Sequence, residues 1–313
     1  MTVDAEKEAK RHHAIADLVM TILPELAGVT IERVAEGGST EVYRIRHQSA
    51  TYYLRVLPEV GASFAPEAKI HRQLHAWGVQ VPDVLYFAHY HAPLGRSVMV
   101  TTEIPGQALG YGERHPQHKL ILRDAGRDLA QTGRINVVGF GWIDRSAAEV
   151  DMLRAEHASF AAWIEPEMAQ ACATLRRAAL LTNPDLNNVR ALTGMLIDMV
   201  GDKQAVLAHG DFDGTHIYQQ AGVYSGIFDF GEIRGANLLY DLGHFQMENE
   251  DLLPDLLAGY EEVRTLPSDA LQEIWLTGLL IAVGRLANML RKGRNPYLPY
   301  VTAAKRNLAL LMG

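Results

Sequence analysis

Short runs of alternating hydrophobic and polar residues dominate the first hundred positions of the chain. After an amphipathic stretch at His12–Leu23, the segment Val29–Arg46 reads as two strands, Ile31–Val34 and Val42–Ile45, joined by a glycine-containing turn. Thr51–Leu57 has the pattern of a third strand. The spacing therefore predicts that this part of the chain begins as an antiparallel sheet.

A helix is predicted next, because Pro66 and Glu67 suit its first turn and Ile70 and Leu74 fall on one face. Gly78 is a suitable residue to end it. Two more extended runs follow, at Val84–His89 and Ser97–Thr102. The order predicts a small mixed lobe with one helix on a mostly antiparallel sheet.

Beyond Pro105-Gly106 the apolar spacing becomes that of helices. The predicted helical segments are Lys119–Gln131, Val150–Ala179, Asn187–Val200, Leu252–Glu262 and Ser268–Leu290. A chain of 313 residues usually divides into more than one lobe. We therefore predict an α+β protein with an N-terminal lobe over residues 1–105 and a helical C-terminal lobe over 106–313.

Composition and charge narrow the possible partners and location. The chain is 48% hydrophobic and 21% charged, as expected of a folded globular protein, and its formal net charge of −8 disfavours nucleic acid as a partner. Cys172 is the only cysteine, so an internal disulfide is impossible. The first residues do not resemble a secretory signal, and no run of about 18 apolar residues suggests a bilayer-spanning segment. We expect a cytoplasmic protein that binds neither nucleic acid nor membrane.

Most of the candidate chemistry lies in one polar stretch of the second lobe, between Val206 and Gly235. Asp211 and Asp229 each follow a short apolar run, at a point where an extended segment passes into a loop. Phosphoryl transfer needs one group that orients the attacking hydroxyl and another that holds Mg²⁺ on the phosphates. These two aspartates are candidates for the two roles.

The motifs His209-Gly210-Asp211 and Asp229-Phe230-Gly231 resemble those of the aminoglycoside phosphotransferase and choline kinase group, which has the bilobal protein-kinase-like fold. The resemblance implies that Asp211 is the catalytic aspartate and that Asp229 binds Mg²⁺. It also implies that Asp241 braces the catalytic loop and that His209 is structural.

The first lobe contains residues that suit nucleotide binding. Arg55 is a charge within an apolar strand and therefore needs a partner, for which Glu67 is the natural choice. By the resemblance, this pair corresponds to the phosphate-contacting cation and its helix glutamate. The turn Gly37-Gly38-Ser39-Thr40 could cover phosphates with its backbone N–H groups, although the same residues also suit an ordinary hairpin. The segment containing Thr102, Glu103 and Ile104 resembles the hinge that holds adenine.

His216 departs from the family pattern, which has asparagine as a metal ligand at this position. Imidazole suits Mn²⁺ or Zn²⁺ better than Mg²⁺. Three outcomes are open: His216 binds the metal, it points away and water replaces it, or catalysis is impaired. The last outcome would leave a catalytically silent nucleotide-binding protein on the kinase fold.

The predicted function is transfer of the γ-phosphate of ATP or GTP to the hydroxyl of a small molecule, with Mg²⁺ or Mn²⁺. Asp211-Phe212-Asp213-Gly214-Thr215 also resembles the nucleophile loop of haloacid-dehalogenase-type phosphatases. That fold places the loop near the start of the chain, which disfavours this alternative. The acidic residues from Glu248 onwards would suit a polycationic aminoglycoside, but any solvated helix face has the same pattern. A sugar, an amino alcohol or a macrolide is equally admissible as the acceptor.

Overall fold

The structure is a computed structural model that describes residues 3–24, 28–34, 40–110 and 115–313. The chain folds into two compact units, the first formed by Met1–Ile104 with Asp144–Asp151 and the second by Pro105–Ile143 with Met152–Gly313. The sequence analysis placed residues 144–151 in the second lobe. In the structure, this segment belongs to the first unit.

The first unit consists of an antiparallel sheet, as the sequence predicts, and two helices, where the sequence analysis predicted one. Its elements are α1 (Val3–Ile22), β1 (Thr30–Val34), β2 (Glu41–His47), β3 (Ala50–Val56), α2 (Ala65–Ala76), β4 (Val84–His91) and β5 (Arg96–Thr102). The strand order is β1-β2-β3-β5-β4, with antiparallel pairing throughout. The helix predicted from Pro66 is confirmed, and Gly78 follows it with a φ of +82°.

This unit contains two separate hydrophobic clusters, because successive side chains of a strand point to opposite faces of the sheet. On β5, Val98 and Val100 pack into a cluster with Ile15 and Leu18 of α1. Met99, between them, belongs to a second cluster with Phe64 and other residues near α2. Successive strand side chains point to opposite faces, so one strand contributes to both clusters.

The second unit is rich in helices, and it contains short strands that position the loops. Its helices are α3 (His118–Thr132), α4 (Phe160–Arg177), α5 (Asn183–Val200), α6 (Tyr240–Asn249), α7 (Leu253–Val263), α8 (Ala270–Arg291) and α9 (Leu298–Met312). Its strands are β6 (Gln107–Ala108), β7 (Val137–Val138), β8 (Phe140–Ile143), β9 (Leu153–His157), β10 (Val206–Ala208), β11 (Ile217–Gln220), β12 (Val223–Ile227) and β13 (Arg234–Ala236). The order β10-β13-β8-β9-β7 joins strands that are distant in the sequence.

The predicted helix at Val150–Ala179 is wrong over its first ten residues. There, β9 pairs with β7 and β8, and α4 begins only after Ser159, whose Oγ accepts a hydrogen bond from the Ala162 backbone N–H at 3.2 Å. The strand partners lie earlier in the chain. Their pairing overrides a local pattern that is compatible with a helix.

Among the described helices, α8 alone is long and apolar enough to cross a membrane, with a mean hydropathy of 1.3 over its most apolar window. Within the protein, 72% of that window is buried. Its apolar residues pack on α4, α6 and α9, and they form much of the core of the second unit.

Candidate active site

The loop that follows β10 is held in place by Asp241, in the first turn of α6. The Asp241 carboxylate accepts hydrogen bonds from the His209 backbone N–H at 2.8 Å and from the Gly210 backbone N–H at 2.9 Å. Gly210 has a φ of +88°, a conformation that favours glycine. Two charge-assisted hydrogen bonds therefore fix the backbone immediately before Asp211.

The His209 side chain connects this loop to the end of β12. Its Nε2 donates to the Phe228 carbonyl at 2.9 Å, and its Nδ1 accepts from the Asp211 N–H at 3.4 Å. The ring is fully buried, and burial lowers the pKa of His209. A neutral imidazole with one N–H satisfies both contacts. The geometry is that of a structural histidine.

Asp211 meets two basic side chains at a single carboxylate oxygen. Arg285 Nη2 donates to Oδ1 at 2.6 Å, and His244 Nε2 lies 3.3 Å from the same oxygen. Burial by itself raises the pKa of Asp211, but the contact with His244 and the charge of Arg285 outweigh it and hold that pKa well below its usual range. Within the described ranges, Oδ2 has no hydrogen-bond partner. Asp211 is thus an ionised, fixed carboxylate with one oxygen available.

The sequence analysis missed Arg285 and His244. Arg285 follows a long apolar run in α8, and a charge on such a helix needs a partner, by the same argument that singled out Arg55. His244 lies one turn after Asp241 on α6, and its Nδ1 bonds the Phe212 carbonyl at 2.9 Å. Nothing in the local sequence indicates that either side chain reaches Asp211.

Asp229 and His216 lie side by side at the proposed metal site. Asp229 has a φ of +67° immediately before a short 3-10 helix at Phe230–Glu232, and its side chain is half-exposed. His216 Nε2 is 4.0 Å from Asp229 Oδ2, while its Nδ1 is 3.4 Å from Asp213 Oδ1. The two side chains that the sequence predicts as metal ligands are therefore neighbours, and Asp213, which was not predicted as a ligand, lies next to His216.

Three aspartates determine the charge state of His216. Burial lowers the pKa of His216, but the hydrogen bond with Asp213 and the charges of Asp213, Asp211 and Asp229 outweigh it and raise the pKa to about 9. A protonated imidazole has no lone pair for a metal ion. The Asp229 carboxylate is a hard oxygen ligand of the kind that Mg²⁺ prefers alongside substrate phosphates. The donor set thus fits a magnesium ion at Asp229, with His216 as a neighbouring cation.

A second group could also hold a metal ion by distance alone. Ligand atoms of Asp211, Asp213 and His244 lie within 4.8 Å of one another. However, Arg285 already compensates Asp211, and Asp213 accepts hydrogen bonds from the backbone N–H and the Oγ1 of Thr215. Asp211 and Asp213 are therefore already engaged, and Asp229 stays the predicted metal ligand.

We expect the charge on His216 to stabilise the fold below pH 9. Because its folded-state pKa of about 9 is above the ordinary 6.5, the contribution is complete below about pH 6.5 and is lost as the pH rises through 9. Between pH 7 and 10, without divalent metal, the wild type should lose about 2 kcal/mol more stability than His216→Asn. Thermal melting of both proteins across this range measures the difference, and parallel pH profiles would contradict it.

In the first unit, Glu67 lies between two arginines. Arg55 Nη1 is 2.6 Å from Glu67 Oε2, and Arg145 Nη1 is 2.6 Å from Glu67 Oε1. The Glu67 side chain is fully buried, and the Arg55 guanidinium also lies 5.1 Å from the centre of the Phe64 ring. The sequence suggested the Arg55–Glu67 pair. It missed Arg145, which lies in the segment 144–151 that returns to this unit.

The other predicted nucleotide-binding residues are placed as follows. Gly37, Gly38 and Ser39 lie outside the described residues, and Thr40 directly precedes β2. Thr102, Glu103 and Ile104 follow one another at the end of β5. The Glu103 backbone N–H donates to the Thr51 carbonyl at 3.2 Å, and Tyr53 donates to the Glu103 carboxylate at 3.1 Å.

An antiparallel-sheet unit and a helix-rich unit, with an aspartate-braced loop in the latter, define a protein-kinase-like phosphotransferase. The family model described as "phosphotransferase enzyme family" matches residues 30–271, more than half of the chain. The chain belongs to this family. No curated protein matches the sequence.

Solved structures of similar fold cover nearly the whole chain. Aminoglycoside phosphotransferase APH(4)-Ia is 15% identical, with a TM-score of 0.64, over 96% of this chain and 98% of that one. A putative fructosamine-3-kinase from Thermobifida fusca is 18% identical, with a TM-score of 0.59, over 93% and 98%. A mutant of aminoglycoside 2′-phosphotransferase-IIIa, in complex with GDP, is 16% identical, with a TM-score of 0.60, over 97% and 96%. At these identities, the likeness establishes the fold, which is not the doubly wound sheet of a haloacid-dehalogenase-type phosphatase.

Proposed function

We propose that the protein transfers the γ-phosphoryl group of ATP or GTP to a hydroxyl of a small molecule. The observation that carries this proposal is the state of Asp211, which is ionised, fixed through Oδ1 by Arg285 and open at Oδ2. Such a carboxylate can accept a hydrogen bond from an acceptor hydroxyl and orient its oxygen for attack.

In the proposed reaction, the acceptor oxygen forms a bond to the γ-phosphorus as the bond from phosphorus to the β,γ-bridging oxygen breaks. The nucleoside diphosphate leaves with that electron pair. The hydroxyl proton passes to Asp211 Oδ2 and then to solvent. Because Arg285 and His244 keep the pKa of Asp211 low, its main contribution is orientation, with proton transfer late in the step.

Asp229 would hold Mg²⁺ in this proposal. A magnesium ion bound there would neutralise charge on the transferring phosphates. His216, positively charged beside Asp229, would add to that neutralisation or orient Asp229. Asp241 and His209 would hold the loop that carries Asp211, through the hydrogen bonds already described.

Nucleotide binding is proposed for the first unit. Arg55 and Arg145 are both held by the carboxylate of Glu67, and the Arg55 guanidinium would contact the phosphates. The backbone of Gly37–Thr40 would cover phosphates, and Thr102, Glu103 and Ile104 would hold the base. Similar folds have been solved with ADP and with AMP-PNP for APH(4)-Ia, and with GDP for the 2′-phosphotransferase, so both ATP and GTP are admissible here.

Calorimetric titration with non-hydrolysable ATP and GTP analogues tests this function. We expect one analogue to bind in Mg²⁺ or Mn²⁺, and Asp229→Ala to abolish the metal-dependent part of the affinity. Asp202→Ala removes an exposed carboxylate from the turn after α5 and should leave binding unchanged. Absence of binding to either analogue, with or without metal, would refute the proposed function.

A further inference from the structure

A pocket of about 380 Å³ opens in the second unit next to the loop that carries Asp211. Arg285 connects the pocket with this loop, because it lines the pocket and donates a hydrogen bond to Asp211 Oδ1 at 2.6 Å. Arg234, also in the lining, lies close to Gly210, because a Cβ built on Gly210 would be 2.8 Å from Arg234 Nε. The pocket therefore lies beside the proposed catalytic carboxylate, to which Arg285 connects it.

The pocket wall combines polar and apolar surface in nearly equal parts, and two helices supply much of the apolar part. Helix α4 contributes Phe160, Trp163 and Ile164, and helix α8 contributes Leu280 and Ile281. On α4 these positions follow helical spacing, so this helix presents an apolar face to the pocket, whereas the lining side of α8 also carries polar residues. The exposed Trp142 ring lies at its edge. Such a wall suits the flat or alicyclic body of a ligand.

The charged residues in the lining are largely compensated. Arg234 donates to Glu232 Oε2 at 3.1 Å and to the Tyr240 hydroxyl at 3.0 Å, and its guanidinium lies 4.4 Å from the centre of the Trp142 ring. Arg285 is paired with Asp211. These pairs leave little net charge for recognising a strongly charged ligand.

Two charged side chains remain, and they have opposite signs. Glu167 is an exposed residue of the lining. Partial burial of its carboxyl group raises its pKa, and the charges of Arg234 and Arg291 reduce that rise. Arg291 is exposed and has no hydrogen-bond partner in the described part of the chain. The lining has two carboxylates and three arginines, and with the Arg285–Asp211 pair its charges balance, so it offers no net negative charge to attract a ligand with several ammonium groups.

One buried polar atom in the lining lacks a partner. Asn237 is 5% exposed, and its Nδ2 donates to Glu273 Oε1 at 2.8 Å and to Thr277 Oγ1 at 3.2 Å, which fixes the orientation of the amide. Its Oδ1 has no hydrogen-bond partner in the structure as described. A buried acceptor without a donor is energetically unfavourable. A ligand hydroxyl could supply the missing donor.

We propose that this pocket is the acceptor site and that it takes a hydroxylated compound with an aromatic or alicyclic body and at most one charge, in place of a polycation. The proposal rests on the proposed phosphotransferase function. The acidic residues from Glu248 onwards, which suggested a polycation from sequence, do not line this pocket.

The experiment compares ligands that share hydroxyls and differ in the apolar body. Calorimetry with the full chain, with and without a bound nucleotide analogue, would use 4-nitrophenyl glycosides of glucose, galactose, mannose and xylose, the four free sugars, and the polycation kanamycin. At 0.15 M salt, we expect at least one glycoside to bind about tenfold or more tightly than its free sugar, a difference of about 1.4 kcal/mol. Kanamycin should bind no more tightly than the free sugars.

The test variant changes Gly284 on α8, a glycine whose missing side chain leaves space for the pocket. A Cβ on Gly284 would lie 3.0 Å from Glu167 Oε1 and 3.5 Å from Met168 Cε, so Gly284→Leu should fill the space and weaken glycoside binding about tenfold. Gly194→Leu is the matched control, since Gly194 is an exposed helical glycine with nothing within 4 Å of an added Cβ. Asn288→Phe narrows the pocket from an exposed position and serves if Gly284→Leu fails to fold.

Glycosides that bind no better than the free sugars, tighter binding of kanamycin, or unchanged glycoside affinity in a folded pocket variant would each overturn the proposal. Nucleotide binding distinguishes failure of this acceptor proposal from failure of the proposed phosphotransferase function. A protein that binds the metal-dependent nucleotide analogue and no glycoside refutes the acceptor class alone, whereas one that binds no nucleotide refutes the phosphotransferase function itself.

Discussion

Replacing Asp211 with asparagine is expected to lower phosphoryl transfer by about 10²–10⁴-fold while nucleotide binding is kept. Asparagine is nearly the same size as aspartate, but it carries no charge and cannot take the hydroxyl proton. The two loop hydrogen bonds to Asp241 involve the backbone of His209 and Gly210, so the loop itself should keep its position.

Release of the nucleoside diphosphate, with water or a hydroxylated compound as acceptor, measures the effect on transfer. Calorimetry with the non-hydrolysable analogue checks that nucleotide affinity is unchanged. Asp202→Asn makes the same chemical change at an exposed turn and should have wild-type rates. Full activity of Asp211→Asn would show that another group orients the acceptor.

Replacing Glu67 with glutamine is expected to destabilise the protein by about 3–5 kcal/mol, the range typical of breaking a buried ion pair from one side. Glu67 is fully buried between Arg55 and Arg145, whose side chains are 14% and 19% exposed. The neutral amide removes the carboxylate that both of these poorly solvated guanidinium groups contact. Thermal or denaturant unfolding measures the loss.

Glu59→Gln is the matched control, because Glu59 is exposed in the same unit, and its stability should equal that of the wild type. Arg145→Gln leaves the Arg55–Glu67 pair intact, so we expect a smaller loss than for Glu67→Gln. Equal stability of Glu67→Gln and wild type would mean that the ion pairs contribute nothing net to the fold.

Local patterns predicted the elements that are set by local interactions. The helix from Pro66 and the strands on both sides of it appear where alternation and helix-ending residues indicate them. The segment Val150–Ala179 shows the opposite case. Its first residues form β9, whose pairing with β7 and β8 depends on strands that come earlier in the chain.

The residues of the candidate site also divide into those that the local sequence indicates and those that only the tertiary structure brings together. The motifs around Asp211 and Asp229, and the unfavourable isolation of Arg55 in an apolar strand, are visible in the sequence because each depends on neighbouring residue types. The contact of Arg285 with Asp211 joins positions 74 residues apart. The contact of Arg145 with Glu67 depends on a segment that returns to the first unit from within the second.

By itself, the sequence determined the fold class, the two aspartate motifs and the phosphotransferase family, since periodicity and short motifs are local properties. Only the tertiary structure decided the protonation of His216, the single open oxygen of Asp211 and the nearly balanced charge of the pocket beside it. Each of these depends on which charged groups come within a few ångströms of one another. That proximity is created by packing between helices and strands that lie far apart along the chain.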